Sequence, residues 1–218
     1  MRPRDNNSPG RDNANEAPHL ALTHGQTIWL LGELGLRGTV RASTFNAYIK
    51  SLRKLGIPFE RRKRQSEGRQ NVTYDFDDLM ELTIALLLRV YGWLPDDVAA
   101  GLRAYRDNLQ SIYRQAYFDS SHRVYPPARI STLASDQLAV EGLFLDLNIR
   151  YSAGHLIKFG PPRAISPYEA LCLYARSEVP GRSYLPFNVS AVAELIVSRT
   201  QVLPKIRRGR SARRNISH

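Results

Sequence analysis

Ile57-Pro58-Phe59-Glu60-Arg61-Arg62-Lys63-Arg64-Gln65-Ser66-Glu67-Gly68-Arg69-Gln70-Asn71-Val72-Thr73-Tyr74 reads as two strand-like runs around a turn at Ser66-Glu67-Gly68. A hairpin this rich in Arg and Lys, placed directly after a helix, is suited to gripping a polyanionic backbone. The charges around it are segregated. From Arg37 to Arg69 ten residues are basic and two acidic, whereas from Asp75 to Asp97 six are acidic and one is basic. One block is built to meet a polyanion, and the next is not.

The whole chain is basic in the same sense. It has 218 residues, a formal net charge of +11 and an isoelectric point near 10.1. That length can hold one or two domains with a real core. Cys172 is the single cysteine, which excludes an intramolecular disulfide and any multi-cysteine zinc or iron–sulfur centre within one chain. The N-terminus has no apolar signal-like stretch, and no apolar run approaches the ~18 residues needed to span a bilayer. The expectation is a soluble, cytoplasmic, nucleoid-associated chain with no membrane partner.

Outward from the basic hairpin, the periodicity defines helices. Thr27 to Leu36 has Ile28, Leu31 and Leu34 at helical spacing, ended by Gly35 and Gly38. A second helix, capped by Thr39 or Ser43, runs to about Leu55, with Phe45, Tyr48, Ile49, Leu52 and Leu55 facing a core. Gly56 closes it as a left-handed cap. Its outer face carries Arg41, Asn46, Ala47, Lys50, Arg53 and Lys54. Cations there can meet phosphate or guanine, and Asn46 can read an adenine edge bidentately. Asp75 or Asp77 starts a third helix, with Leu79, Leu82, Leu86 and Val90 as one buried stripe and Gly92 as its stop. Leu94-Pro95-Asp96-Asp97 opens a fourth, continuing to about Phe118, with Leu102, Tyr105, Leu109, Ile112, Tyr113 and Tyr117 on its apolar side. That stripe serves either packing on the chain's own C-terminal part or dimerisation.

Tyr125-Pro126-Pro127 marks a boundary. Beyond it, Ser131 to Val140 looks helical. Leu143, Leu145, Leu147 and Ile149 alternate as a strand that returns through Ser152-Ala153-Gly154 to His155–Phe159. Helices then follow from Ser166-Pro167 and from the cap Asn188. The expected fold is mainly α with small β elements. It comprises a disordered tail (1–19), a winged-helix DNA-binding domain (20–98), a long connecting or dimerisation helix (99–123), a small α+β effector or oligomerisation domain (124–204) and a basic disordered tail (205–218).

Tyr74, Asp78 and Leu79 match a Tyr-x-x-x-Asp-Leu pattern, Gly92-Trp93 sits where a Gly-Phe pair is usual, and Thr44-Phe45 with Tyr48 is similar to a Thr-Leu-Arg-x-Tyr core. With Gly56-Ile57 opening the basic hairpin and Gly68-Arg69 at its tip, residues 27–110 resemble the MerR family of bacterial winged helix-turn-helix regulators. Asn46 departs from the Arg usual there, and the second helix looks one turn longer. The resemblance implies a homodimer on near-palindromic double-stranded DNA, with the second helix in the major groove and the wing on flanking phosphate. It also implies engagement of RNA polymerase at the promoter. The family's metal and redox sensors use several cysteines near the dimer helix, and this chain has none there, so those inputs are not expected.

The expected DNA contacts are Arg41, Ser43, Thr44, Asn46, Ala47, Lys50, Arg53, Arg61, Arg62, Lys63, Arg64 and Arg69. Side chains alternate along a strand, so about half of Arg61–Arg64 can face one phosphate track; the competing reading is a charge-protected edge strand. Trp29 and Trp93 are expected in the core, and Cys172 as a small buried hydrophobe. His19, His24, His122, His155 and His218 have no ligand spacing, so no metal or cofactor is expected. No nucleophile–base order or phosphate loop supports catalysis. Tyr125, His155, Arg163 and Glu169 are the only candidates for an enzymatic reading. The leading expectation is a sequence-specific transcriptional regulator, with an effector of unknown identity. The alternative is an architectural or partition-type protein that assembles on DNA through its C-terminal half.

Overall fold

A computed structural model describes residues 17–59, 72–121, 142–152, 156–175, 182–183 and 186–204. Among these residues the chain is mainly helical, with seven helices and small antiparallel sheets. Residues 1–16 of the N-terminal tail, the C-terminal tail, the Ser131–Val140 segment and most of the basic hairpin lie outside the described residues.

The first unit begins with β1 (Leu22–Thr23), which pairs antiparallel with β2 (Thr73–Tyr74). Helix α1 spans His24–Glu33. Its start is a capping box: the Gln26 N–H donates to Thr23 Oγ1, and the Thr23 N–H donates to Gln26 Oε1. Gly35 and Gly38, with φ of 79° and 54°, turn the chain into α2 (Ala42–Lys54). Neither Thr39 nor Ser43 caps α2; Arg41 occupies the cap position without a side-chain bond. What holds α2 is its apolar stripe, since Phe45, Ile49 and Leu52 are buried, each contributing ~1.5–3 kcal/mol by leaving water.

Helix α3 (Phe76–Val90) is almost wholly buried, and it begins at the Asp75–Asp78 capping box. Val90, expected on the buried stripe, is 69% exposed. By that point the helix has passed the edge of the core. Gly92 ends the segment with φ 87°. The expected single helix over 99–123 is two helices, α4 (Pro95–Ala104) and α5 (Arg106–Ser121), broken at Tyr105. The break re-aims the stripe. Leu109, Ile112, Tyr113 and Ala116 are buried within the chain, where α5 packs against α7 (Val189–Thr200), so they are not presented to a second copy.

The strand expected over 143–149 is also divided. β3 (Phe144–Asp146) lies between β6 (Arg163–Ile165) and β8 (Phe187–Asn188), while β4 (Ile149–Ser152) lies between β5 (Leu156–Phe159) and β7 (Arg182–Ser183). The corner is Asn148, at φ 45°. Asp146 Oδ1 accepts its N–H at 2.8 Å, and the Asn148 carbonyl accepts from the Gly160 N–H at 3.0 Å. Asn tolerates this left-handed conformation better than most residues. The β4–β5 hairpin agrees with the expected return, pairing Ile149 with Phe159. Helix α6 (Pro167–Ala175) starts at a Ser166–Glu169 box. Cys172 on this helix is half-buried rather than buried, because α6 covers the core only thinly. Helix α7 is capped by Asn188, whose Oδ1 accepts from the Ala191 N–H at 2.9 Å.

One hydrophobic core runs from Leu22 to Ile196 and takes in Trp93, with Trp29 packed against it. It continues through the boundary expected near residue 98. No helix among the described residues is long and apolar enough to cross a membrane.

Candidate nucleic-acid interface

The outward side of α2 carries positive charge and no carboxylate. Ser43, Ala47, Lys50 and Lys54 follow one another at three- and four-residue steps and are exposed, with Arg41 exposed at the cap. Thr44 is half-buried beside them. Lys54 also lies in the last turn, where a cation favours the negative end of the helix dipole.

Asn46 and Arg53 are half-buried rather than exposed. Both lie on the flank of α2 that faces the base of the basic hairpin. Asn46 Oδ1 is 3.1 Å from His24 Nε2. The Arg53 guanidinium carbon sits 5.9 Å from the Phe59 ring centre and 6.0 Å from that of Tyr74, a cation–π arrangement. Its Nε is buried without a hydrogen bond among the described residues. Packing against the two rings therefore competes with phosphate for this side chain.

Phe59 and Tyr74 bracket the basic interval, and their rings touch at 5.0 Å between centres. The chain thus enters and leaves residues 60–71 at one place beside α2. Arg61, Arg62, Lys63, Arg64 and Arg69 lie outside the described residues. On the far flank, Arg89 of α3 stacks 3.2 Å from the centre of the Tyr48 ring.

Behind α2, two ion pairs absorb acids that the charge pattern had left unassigned. Arg106 donates to Glu81 at 2.8 Å and to the Gly56 carbonyl at 2.6 Å, tying α5 to α3 and to the turn that ends α2. Arg114 donates to Asp77 at 2.6 Å. Burial pushes the Glu81 carboxyl up to about 7, against the pull of Arg106. Burial likewise raises Asp77 against the pull of Arg114. The only sequence signal for these pairs was the i,i+4 spacing of Asp77 and Glu81 on a helix otherwise apolar. Nothing pointed to the two arginines as their partners. No group of His, Cys, Asp and Glu among the described residues has the arrangement of a metal site.

No protein family, curated protein or solved structure matches the chain.

Proposed function

We propose that the chain is a sequence-specific duplex-DNA-binding transcriptional regulator that reads the major groove with α2 and grips flanking phosphate with residues 61–69. The carrying observation is the exposed, carboxylate-free stripe of α2 beside the joined ends of the Arg-rich interval. A helix of 13 residues spans ~20 Å and fits a groove ~12 Å wide. The cations of the stripe supply sequence-independent affinity, while Ser43, Thr44, Asn46 and Ala47 supply the short side chains that let a helix backbone approach base edges. The bound form is proposed as a dimer on a near-palindromic site.

The test is selection of duplexes from a random pool by the purified full chain, at low and near-physiological salt. A palindromic motif that survives the higher salt is the expected result. Enrichment that disappears with salt and leaves no motif would replace this reading with phosphate-only, architectural binding. The double substitution Lys50→Ala with Lys54→Ala should reduce the slope of log affinity against log salt by about 2, since each lost phosphate contact removes roughly 0.9. An unchanged slope would remove α2 from the interface. Arg62→Ala with Arg64→Ala tests the hairpin in the same way.

A further inference from the structure

His24, Asn46 and Tyr74 come from α1, α2 and β2 and meet through one imidazole. Nε2 lies 3.1 Å from Asn46 Oδ1, and Nδ1 lies 3.0 Å from the Tyr74 hydroxyl. An amide oxygen only accepts, so Nε2 carries the hydrogen and donates to Oδ1. Nδ1 of the neutral ring then accepts from the Tyr74 O–H. The His24 and Tyr74 rings lie near-parallel, 25° apart at 6.0 Å, and Tyr74 is fully buried. The imidazole is therefore fixed in tautomer and in plane by a residue that cannot easily move.

We infer that His24 is a positioning residue for base reading: it holds Asn46 Oδ1 and leaves the amide Nδ2 as the group that Asn46 offers to DNA. This rests on the duplex-binding reading above. A free Asn pairs bidentately with adenine, accepting from N6 through its oxygen and donating to N7. With one lone pair of Oδ1 engaged by His24 and the amide plane thereby fixed, Nδ2 is the group held ready to donate to a base-edge acceptor such as purine N7, guanine O6 or thymine O4. Specificity at one base position is thereby set from α1, a helix that itself need not touch the DNA.

The experiment repeats the duplex selection with wild type, His24→Ala, Asn46→Ala, the double variant and Tyr74→Phe, and measures affinity for the wild-type motif and for a scrambled duplex at one salt concentration. His24→Ala should lose about tenfold in discrimination between the two duplexes while keeping its affinity for the scrambled one, as expected for one misaligned base contact. Its selected motif should lose its preference at a single position, and the double variant should discriminate no worse than Asn46→Ala. His24→Gln, which restores an N–H donor, should recover part of the loss. If Asn46→Ala loses discrimination and His24→Ala does not, or if the two losses add, the positioning role is overturned and the duplex-binding reading stands. If the wild type selects no motif, both fall. Should His24→Ala fail to fold, Tyr74→Phe keeps the ring packing and removes only the donor to Nδ1. Imidazole nitrogen shifts in the wild type must then show hydrogen on Nε2 with Nδ1 accepting; the opposite tautomer overturns the inference.

Discussion

His24 and Glu81 make stability depend on pH in opposite senses. Burial, the largest influence, lowers the imidazole of His24 below its ordinary 6.5, and the cations of Arg53 and Lys50 act the same way, against the hydrogen bond to Asn46. Between that lowered value and 6.5 the unfolded chain binds more protons than the folded one, so stability falls as pH drops through the window. Glu81 is raised from 4.5 to about 7. Between those values the folded chain holds the extra proton, and stability falls as pH rises. Melting curves of wild type, His24→Gln and Glu81→Gln across pH 5–8 separate the two contributions. The wild type minus His24→Gln difference should grow with pH through the His24 window. The wild type minus Glu81→Gln difference should shrink as pH rises toward about 7. A flat difference curve in either case would mean that the group titrates alike in both states. Neither residue stood out in the sequence. His24 gains its surroundings from partners 22 and 50 positions away, and no local pattern encodes a contact at that separation.

At the level of elements, the helices that were legible are those with a local reason to exist. The Asp75 and Asn188 caps and the glycine stops at 56 and 92 all fall where expected, since each depends on residues within one turn. Two elements depart from their periodicity for a common reason. The 95–118 stripe and the 143–149 alternation each have unbroken periodicity, yet the chain bends at Tyr105 and at Asn148. Both bends serve packing that is remote in sequence: the Tyr105 hydroxyl donates to the Phe159 carbonyl at 3.4 Å, and Asn108 Nδ2 donates to the Pro162 carbonyl at 3.2 Å. Gly101 of α4 completes this contact, because a Cβ there would collide with the Phe159 ring. Gly101→Ala gains ~1 kcal/mol of helix propensity, yet the ring must be displaced, at a cost of about 1–3 kcal/mol. The expected outcome is net destabilisation in denaturant titration. A more stable Gly101→Ala protein would show that α4 and β5 leave room for a methyl group beside the Phe159 ring.

At the scale of the whole molecule, Arg106 ties three helices together. Its guanidinium joins α5 to α3 through Glu81 and to the end of α2 through the Gly56 carbonyl, with 12% of its side chain exposed. Removing one member of a buried pair leaves the other charge uncompensated, so above about pH 7, where Glu81 is charged, Arg106→Ala should cost about 3–5 kcal/mol. It should also loosen the end of α2, read as faster amide hydrogen exchange at Leu55–Ile57. A loss under about 1 kcal/mol, the range of exposed pairs, would contradict the buried geometry. Because one core runs from Leu22 to Ile196, the loss should appear in a single cooperative transition.

Composition and local pattern were sufficient for the mainly helical class, the caps at Asp75 and Asn188, the glycine stops, the buried stripe of α2 and the charged stripe opposite it. All of these follow from residues within a few positions of one another. The engagement of Asn46 by His24 and of Arg53 by Phe59 and Tyr74, the closure of the α5 stripe against α7 and the burial of Asp77 and Glu81 beside arginines followed only from the assembled fold. Each depends on which distant surface arrives to cover a given face, and periodicity shows that a face is apolar or charged without naming the surface that will meet it.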